Sequence, residues 1–406
     1  MRLYIIIMAK RLFFIFLLLT IFSLKIFAQS NDPNFWIGKD TVRVITTAMP
    51  FLTITPDARS GAMGDAGVAI SPDANSMFWN PAKLAFNEDH YGFALSYNPW
   101  LRKLINDMSL SYLTGYYKVS KQEAVGIQLL YFDLGSIEFT NDQGTSLGKF
   151  DPQEYSVGAT YSRKLSNFLG VALSLKYIHS NLSGNVHLNN GASTKAANAG
   201  AGDIGIYYNR DLIVSAKPYT FAFGANISNI GNKVSYTNND IRNFIPTNLR
   251  LGTAITVPFD DYNKITFALD ANKLMVPTPP LRDANQNVID GTEDKTKSLI
   301  SGMLGSFSDA PNGMGEELKE FMLSAGVEYW YGKIFAARGG FFHENKYKGN
   351  RRYFTLGFGL RYKVFGLDFA YLIPLKQNNP LAETLRFTLH FNFADKRPGG
   401  AESITE

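Results

Sequence analysis

The 406-residue chain has no cysteine, which excludes disulfides and thiolate-held metal. Beyond its first 28 residues it has no long apolar run. No transmembrane helix is therefore expected in the rest of the chain, since a helical span needs about 20 consecutive apolar residues. An excess of one charge is missing too. The formal net charge of +5 takes four cations, Arg2, Lys10, Arg11 and Lys25, from the first 28 residues, which carry no acid, and +1 remains without them. No basic face is left to recognise nucleic acid. There is no phosphate-binding Walker loop and no histidine pair at metal-ligand spacing. Gly200-Ala201-Gly202-Asp203-Ile204-Gly205 has the spacing of a dinucleotide fingerprint, but it leads into a strand and opens no helix. His179 and Ser180 are consecutive on a strand and point to opposite faces, so they make no hydrolase pair. No catalytic residue, cofactor or metal is expected.

The chain does begin with a secretory leader. Arg2, Lys10 and Arg11 precede an apolar core over 12–24, and Ile26-Phe27-Ala28 leads to a cleavage before Gln29, giving a signal peptide over 1–28. Met8 is an equally good start.

After the leader, about fourteen segments alternate apolar and polar residues, and the joints between them alternate short and long. A transmembrane β-barrel produces both rhythms, because lipid-facing residues recur at every second position and tight periplasmic turns alternate with longer outer loops. The fold class expected is all-β, a 14-stranded antiparallel barrel over 90–393. It follows a periplasmic N-terminal segment and lumen hatch over 29–89 and precedes a polar tail over 394–406. Apolar sets such as Phe93-Leu95-Tyr97, Met108-Leu110-Tyr112, Val125-Ile127-Leu129, Leu173-Leu175-Tyr177, Phe354-Leu356-Phe358 and Phe387-Leu389-Phe391 are taken as the outer face. Short joints fall near 118–123, 165–168, 259–263 and Gly332. Long joints fall near 135–152, 181–200, 230–246 and 275–320. An even strand number lets both termini sit on the periplasmic side.

The inward faces read as mostly polar or small. Arg361, Asp368 and Arg386 lie inward on the last three strands at similar depth, and are expected to form a structural charge lattice lining the lumen. Aromatic residues at strand ends form two girdles, with Tyr116, Tyr117, Tyr161, Tyr208 and Phe393 at one edge and Tyr97, Trp100, Tyr131 and Tyr353 at the other. The loop over 98–106 carries Pro99, Trp100, Leu101, Leu104 and Ile105; the longest carries Met303, Leu304 and Phe307. Apolar groups on an outer loop need a partner, the membrane or the barrel mouth to cover them.

Residues between the leader and the first strand break the repeat. They contain Gly64-Asp65-Ala66-Gly67-Val68-Ala69, then Asp73-Ala74, then Trp79-Asn80-Pro81-Ala82. This run resembles the hatch signature of the FadL-like fourteen-stranded outer-membrane barrels, and it gives Gly64, Asp65, Gly67, Trp79, Asn80 and Pro81 structural roles in a plug. Many FadL-like transporters have Gly where this chain has Lys83. Trp79 to Lys83 with Phe86, and the segments from Asn98 to Arg102 and from Asp107 to Tyr117, are similar to the PorV branch of the type IX secretion system.

That resemblance implies a non-enzymatic outer-membrane protein with loops at the cell surface. It would bind the C-terminal domain of cargo emerging from a translocon of the SprA or Sov type, and pass it to an attachment complex containing a sortase-like protease. The partners implied are the translocon, cargo C-terminal domains, that complex and outer-membrane lipid. The apolar residues of the first and longest loops would be the contacts. The alternative is FadL-like transport of a hydrophobic small molecule, which requires a continuous apolar pocket inside the barrel.

Overall fold

A computed structural model of the chain describes residues 43–394, apart from 103–104, 106, 141–142, 144, 185–192, 215–216, 239–241, 283–286, 292–295, 377–380 and 382–383. The leader, the segment 29–42, Leu104 and most of the C-terminal tail lie outside the described residues.

Fourteen antiparallel strands form a closed barrel. They are β1 Tyr91–Pro99, β2 Ser109–Lys118, β3 Glu123–Asp133, β4 Gln153–Lys164, β5 Leu169–Asn181, β6 Ala197–Val214, β7 Lys217–Gly231, β8 Asn248–Pro258, β9 Asn263–Leu274, β10 Met322–Tyr331, β11 Phe335–His343, β12 Arg352–Tyr362, β13 Phe365–Pro374 and β14 Leu385–Phe393. Closure is made by β1 on β14, in register from Tyr91↔Phe393 to Tyr97↔Phe387. Pairing every strand on both sides satisfies the backbone inside a bilayer and leaves no edge. Joints at one end are short, 119–122, 165–168, 259–262, 332–334 and 363–364 among them. Those at the other run to 134–152, 182–196, 232–247 and 275–321. The longest contains the helices Leu299–Gly305 and Met314–Glu317.

The alternation is physical. On β1, Tyr91, Phe93, Leu95 and Tyr97 face outward, and Gly92, Ala94, Ser96 and Asn98 are buried inward. On β2 the expected polarity is reversed. Leu110, Tyr112 and Tyr116 are buried inward, while Leu113, Gly115 and Tyr117 lie on the outer wall. The cause is an apolar cluster inside the loop-bearing end, where Phe51, Phe78, Trp79, Leu110, Tyr112, Leu130, Phe132, Ile178 and Ile245 pack together. That end of the lumen is not lined by polar or small residues as expected.

Three girdle assignments fail for the same kind of reason. Tyr116 packs inward with Met77 and Leu84, and the inward Tyr353 hydroxyl donates to Asp65 at 2.5 Å. Trp100, half-buried, packs onto the mouth cluster instead of forming a belt. Tyr117 and Tyr161 do stand exposed near the short-turn end.

Residues 43–90 pack against inward-facing side chains. They begin at the loop-bearing end, where the Arg43 amide donates to the Tyr347 carbonyl at 3.0 Å, and end at the short-turn end, where the His90 amide donates to the Phe393 carbonyl at 3.0 Å. Residues 43–54 lie at the loop-bearing mouth, drawn there by burial of Met49, Phe51 and Leu52.

Candidate functional site: the N-terminal segment and the loop-bearing mouth

Four short helical turns give the N-terminal segment its shape, Pro50–Thr53, Ala58–Gly61, Ser76–Trp79 and Pro81–Phe86. Asp57 caps the helix Ala58–Gly61 by accepting the Ser60 amide at 2.8 Å. Its other oxygen accepts the Trp79 indole N–H at 2.6 Å, joining two stretches distant in sequence. Asn80 caps the turn Pro81–Phe86 by accepting the Ala82 amide at 3.1 Å, with Pro81 in the first turn where its missing N–H costs nothing. The Asn80 side chain also donates to the Ile206 carbonyl of β6 at 2.9 Å. The buried Lys83 ammonium donates to the Gly67 carbonyl at 2.7 Å. A β-carbon on Gly67 would lie 2.2 Å from the Trp79 ring. Gly64, at φ +68°, touches the wall so closely that a β-carbon would sit 2.4 Å from the Phe341 amide nitrogen.

Ionic bolts fix this segment to the wall. All five guanidinium donors of Arg59 are used: two go to the Glu328 carboxylate at 2.8 and 2.9 Å, one to Asp73 at 3.0 Å, and two to the Ser71 carbonyl and hydroxyl at 3.0 and 2.6 Å. The amides of Gly67 and Val68 donate to the Asp270 carboxylate at 2.7 and 2.9 Å.

The expected charge lattice forms in part. Arg361 meets Asp368 at 2.7 Å, but Arg386 pairs with Asp65 of the N-terminal segment at 3.4 Å. Asp368 is completed by Arg338 at 2.8 Å and His390 at 2.7 Å, and Arg338 continues to Glu328 at 2.8 Å. Arg59, Asp270, Glu328 and Arg338 escaped sequence reading. The signal for the last two was present, since they are inward residues directly opposite one another on β10 and β11.

At the mouth, the loop after β1 folds back. The Trp100 amide donates to the Met108 carbonyl at 3.0 Å, Pro99 and Leu101 are half-buried, and Ile105 alone of the described expected contacts in this loop is exposed. In the longest loop Met303 is buried and Phe307 lies half-buried beneath the Lys273 ammonium. Leu304 faces out. Ile300, one turn earlier, and Met314 and Leu318, likewise one turn apart, are also outward apolar groups; the four are 58–67% exposed.

Beneath them lies a buried ionic cluster. Glu316 accepts Arg43 and, at 2.6 Å, Lys348; Glu320 accepts Lys348 at 2.8 Å and Thr278 at 2.7 Å; Lys273 reaches Glu317 at 3.1 Å and also Glu320. One cluster therefore ties together the segment at Arg43, the long loop and the loop after β11. Burial alone would raise the Glu316 carboxyl, but hydrogen bonds from Lys348 and Arg43 outweigh it and hold the group below its ordinary value near 4.5. A lowered carboxyl contributes stability at neutral pH that is lost as pH falls through the native value. The long loop over 275–321, the outer cap, is expected to resist pepsin at pH 4.5 and to be cut under more acid conditions, earlier than the barrel strands. Glu316→Gln is expected to make the cap sensitive to trypsin already at pH 7.

The imidazole of His179 and the hydroxyl of Ser180 stay apart. His179 meets Asn198 at 2.8 Å, and the Ser180 hydroxyl donates to Glu154 at 2.6 Å on the opposite face of the strand.

A closed fourteen-stranded wall, apolar outside and lined by ionic groups and buried side chains within, defines an integral β-barrel of the outer membrane. Its outline is shared with the toluene transporter TbuX of Ralstonia pickettii (13% identity, TM-score 0.45, covering 83% of this chain and 98% of that one). It is shared also with the toluene transporter TodX of Pseudomonas putida (11%, 0.45, 86% and 98%) and with a Pseudomonas aeruginosa FadL homologue (11%, 0.45, 87% and 100%). No curated protein matches the sequence. Residues 38–281 match the model of the family "Type IX secretion system protein PorV", and the chain belongs to that family. It is thereby associated with type IX secretion.

Proposed function

We propose that this protein captures secreted cargo at the cell surface through its outer cap, binding the cargo's C-terminal domain as it leaves a SprA- or Sov-type translocon, and shuttles it to a sortase-like attachment complex. The observation that carries this reading is the exposure of Ile300, Leu304, Met314 and Leu318. Four large apolar side chains on a cap pinned by buried ion pairs have no cover among the described residues, and a protein partner would supply it. The unbranched Met314 side chain adapts to cargo of varied shape. In the loop after β1, Ile105 extends the contact and Pro99, Trp100 and Leu101 support it; in the longest loop, Met303 and Phe307 support the cap from beneath.

Residues 43–87 act in this reading as a fixed hatch. Gly64, Asp65, Gly67, Trp79, Asn80 and Pro81 shape it, and the Arg361, Asp368 and Arg386 groups hold the wall and plug together. Residues 1–28 are removed as a signal peptide.

A second reading, transport of a hydrophobic small molecule, draws support from the apolar chamber at the mouth. That chamber is filled by Met49, Phe51 and Leu52 of the same chain. Deleting the gene separates the two. Cargo trapped in the periplasm or released without its anchor supports capture; normal cargo display together with lost growth on a lipophilic nutrient contradicts it.

A further inference from the structure

The outer wall is not evenly covered. Over β1–β5 two adjoining hollows of about 740 and 610 Å³ share Phe93, Gly115, Ile127, Ala159 and Leu175, and together form one apolar trough. Its floor is Gly115 and Ala159, outward-facing positions between large neighbours. A β-carbon on Gly115 would meet nothing nearer than 3.7 Å, so the hollow is open to the outside. Phe93 is the side chain placed to cover it, but it stacks away on Phe391 of β14 at 4.5 Å between centroids, and Tyr91 stacks on Phe393 at 4.7 Å. On the far side the Tyr161 hydroxyl is held by Glu123 at 2.7 Å.

The trough runs from the middle of the wall to the short-turn end, where the chemistry changes. Tyr91, Tyr117 and Tyr161 bring three rings to its lower rim. Just beyond stands the outward Arg163 guanidinium, half-exposed and only loosely paired with Glu123 at 3.5 Å. Lys121 is exposed in the turn whose Gln122 carbonyl accepts the Lys164 amide at 2.7 Å, so it lies beside the end of β4. An apolar hollow at hydrocarbon depth, bounded by interfacial tyrosines and ending in two cations, matches the order of chain, glycerol and phosphate in a lipid.

We propose that the wall of β1–β5 holds one anionic glycerophospholipid of the periplasmic leaflet, with acyl chain in the trough over Gly115 and Ala159 and phosphate against Arg163 and Lys121. A hollow at this depth has no water to fill it, and a chain lying in it makes van der Waals contacts that a flat wall does not offer. The site is independent of how the outer cap is used.

Native mass spectrometry of the full-length barrel in mild detergent, titrated with palmitoyl-oleoyl phosphatidylglycerol or phosphatidylcholine, tests it. The wild type is expected to retain one phosphatidylglycerol. Gly115→Leu is expected to lower its occupancy about tenfold, a loss near 1.4 kcal/mol, and Arg163→Gln to remove the preference over phosphatidylcholine. Gly339→Leu, which adds the same side chain on the outer face of β11, is expected to change nothing. Ala159→Leu fills the trough from the next strand and serves where Gly115→Leu does not assemble. Equal retention in folded wild type and trough-filled variants would overturn the proposal. So would a Gly115→Leu variant that loses a dimer of barrels while keeping its lipid, since the hollow would then seat a second protein.

Discussion

Replacing Ile300, Leu304, Met314 and Leu318 together with serine is expected to abolish co-purification of a cargo C-terminal domain while the barrel still assembles. All four are on the outer side of the cap, and none enters the ionic cluster or the mouth. Full burial of such a side chain contributes about 1.5–3 kcal/mol, and these begin about two-thirds exposed. A loss near 4 kcal/mol, or about a thousandfold in affinity, is therefore reasonable for the set. Leu304→Ser alone should cost about tenfold. Met303→Ser is the internal contrast. Met303 is buried under the cap, so its loss should loosen the loop to protease and weaken binding only through that loosening.

The other large effect lies in the N-terminal segment. Arg59→Leu removes the guanidinium that joins Glu328, Asp73 and Ser71, leaving the half-buried Asp73 without its Arg59 partner and the buried Glu328 with Arg338 alone. Breaking one side of a buried pair costs about 3–5 kcal/mol. The variant is expected to unfold at markedly lower denaturant, seen as a shift in the heat-modifiable band on a gel, and to admit vancomycin-sized solutes as the segment works loose. Arg59→Lys should recover less than half of the loss. A single ammonium cannot fork Glu328 and reach Asp73 and the Ser71 carbonyl at once. Unchanged stability in Arg59→Leu would mean that the N-terminal segment is held by its apolar contacts alone.

The wall was legible because lipid imposes a period of two on every strand, and the loop lengths told the two ends apart. Parity alone could not say which face was which where both were apolar. On β2, Leu110 and Tyr112 alternate as cleanly as Leu113 and Tyr117, and only the cluster around Phe51 and Phe78 decides that the first pair turns inward. The N-terminal segment has no period. Its path depends on single contacts over long separations, such as Asp57 with Trp79, Asp65 with Tyr353, or Arg43 with Glu316. Arg386 shows the consequence. Its depth in the lumen was readable from strand alternation, but its partner, Asp65, comes from that non-periodic segment. In the cap, helical spacing relates Ile300 to Leu304 and Met314 to Leu318. That these rows face out while Met303 faces in depends on the ionic cluster below, whose members come from three separate stretches of chain.

The most direct measurement is site-specific photo-crosslinking in cells secreting cargo, with the photoreactive residue at Leu304, at Phe51 in the mouth or at Leu175 on the lipid-facing wall. Cargo capture at the cap predicts a covalent adduct between Leu304 and a cargo C-terminal domain, and none from Phe51 or Leu175. An adduct confined to Phe51, or cargo delivered normally with no adduct at Leu304, would contradict it.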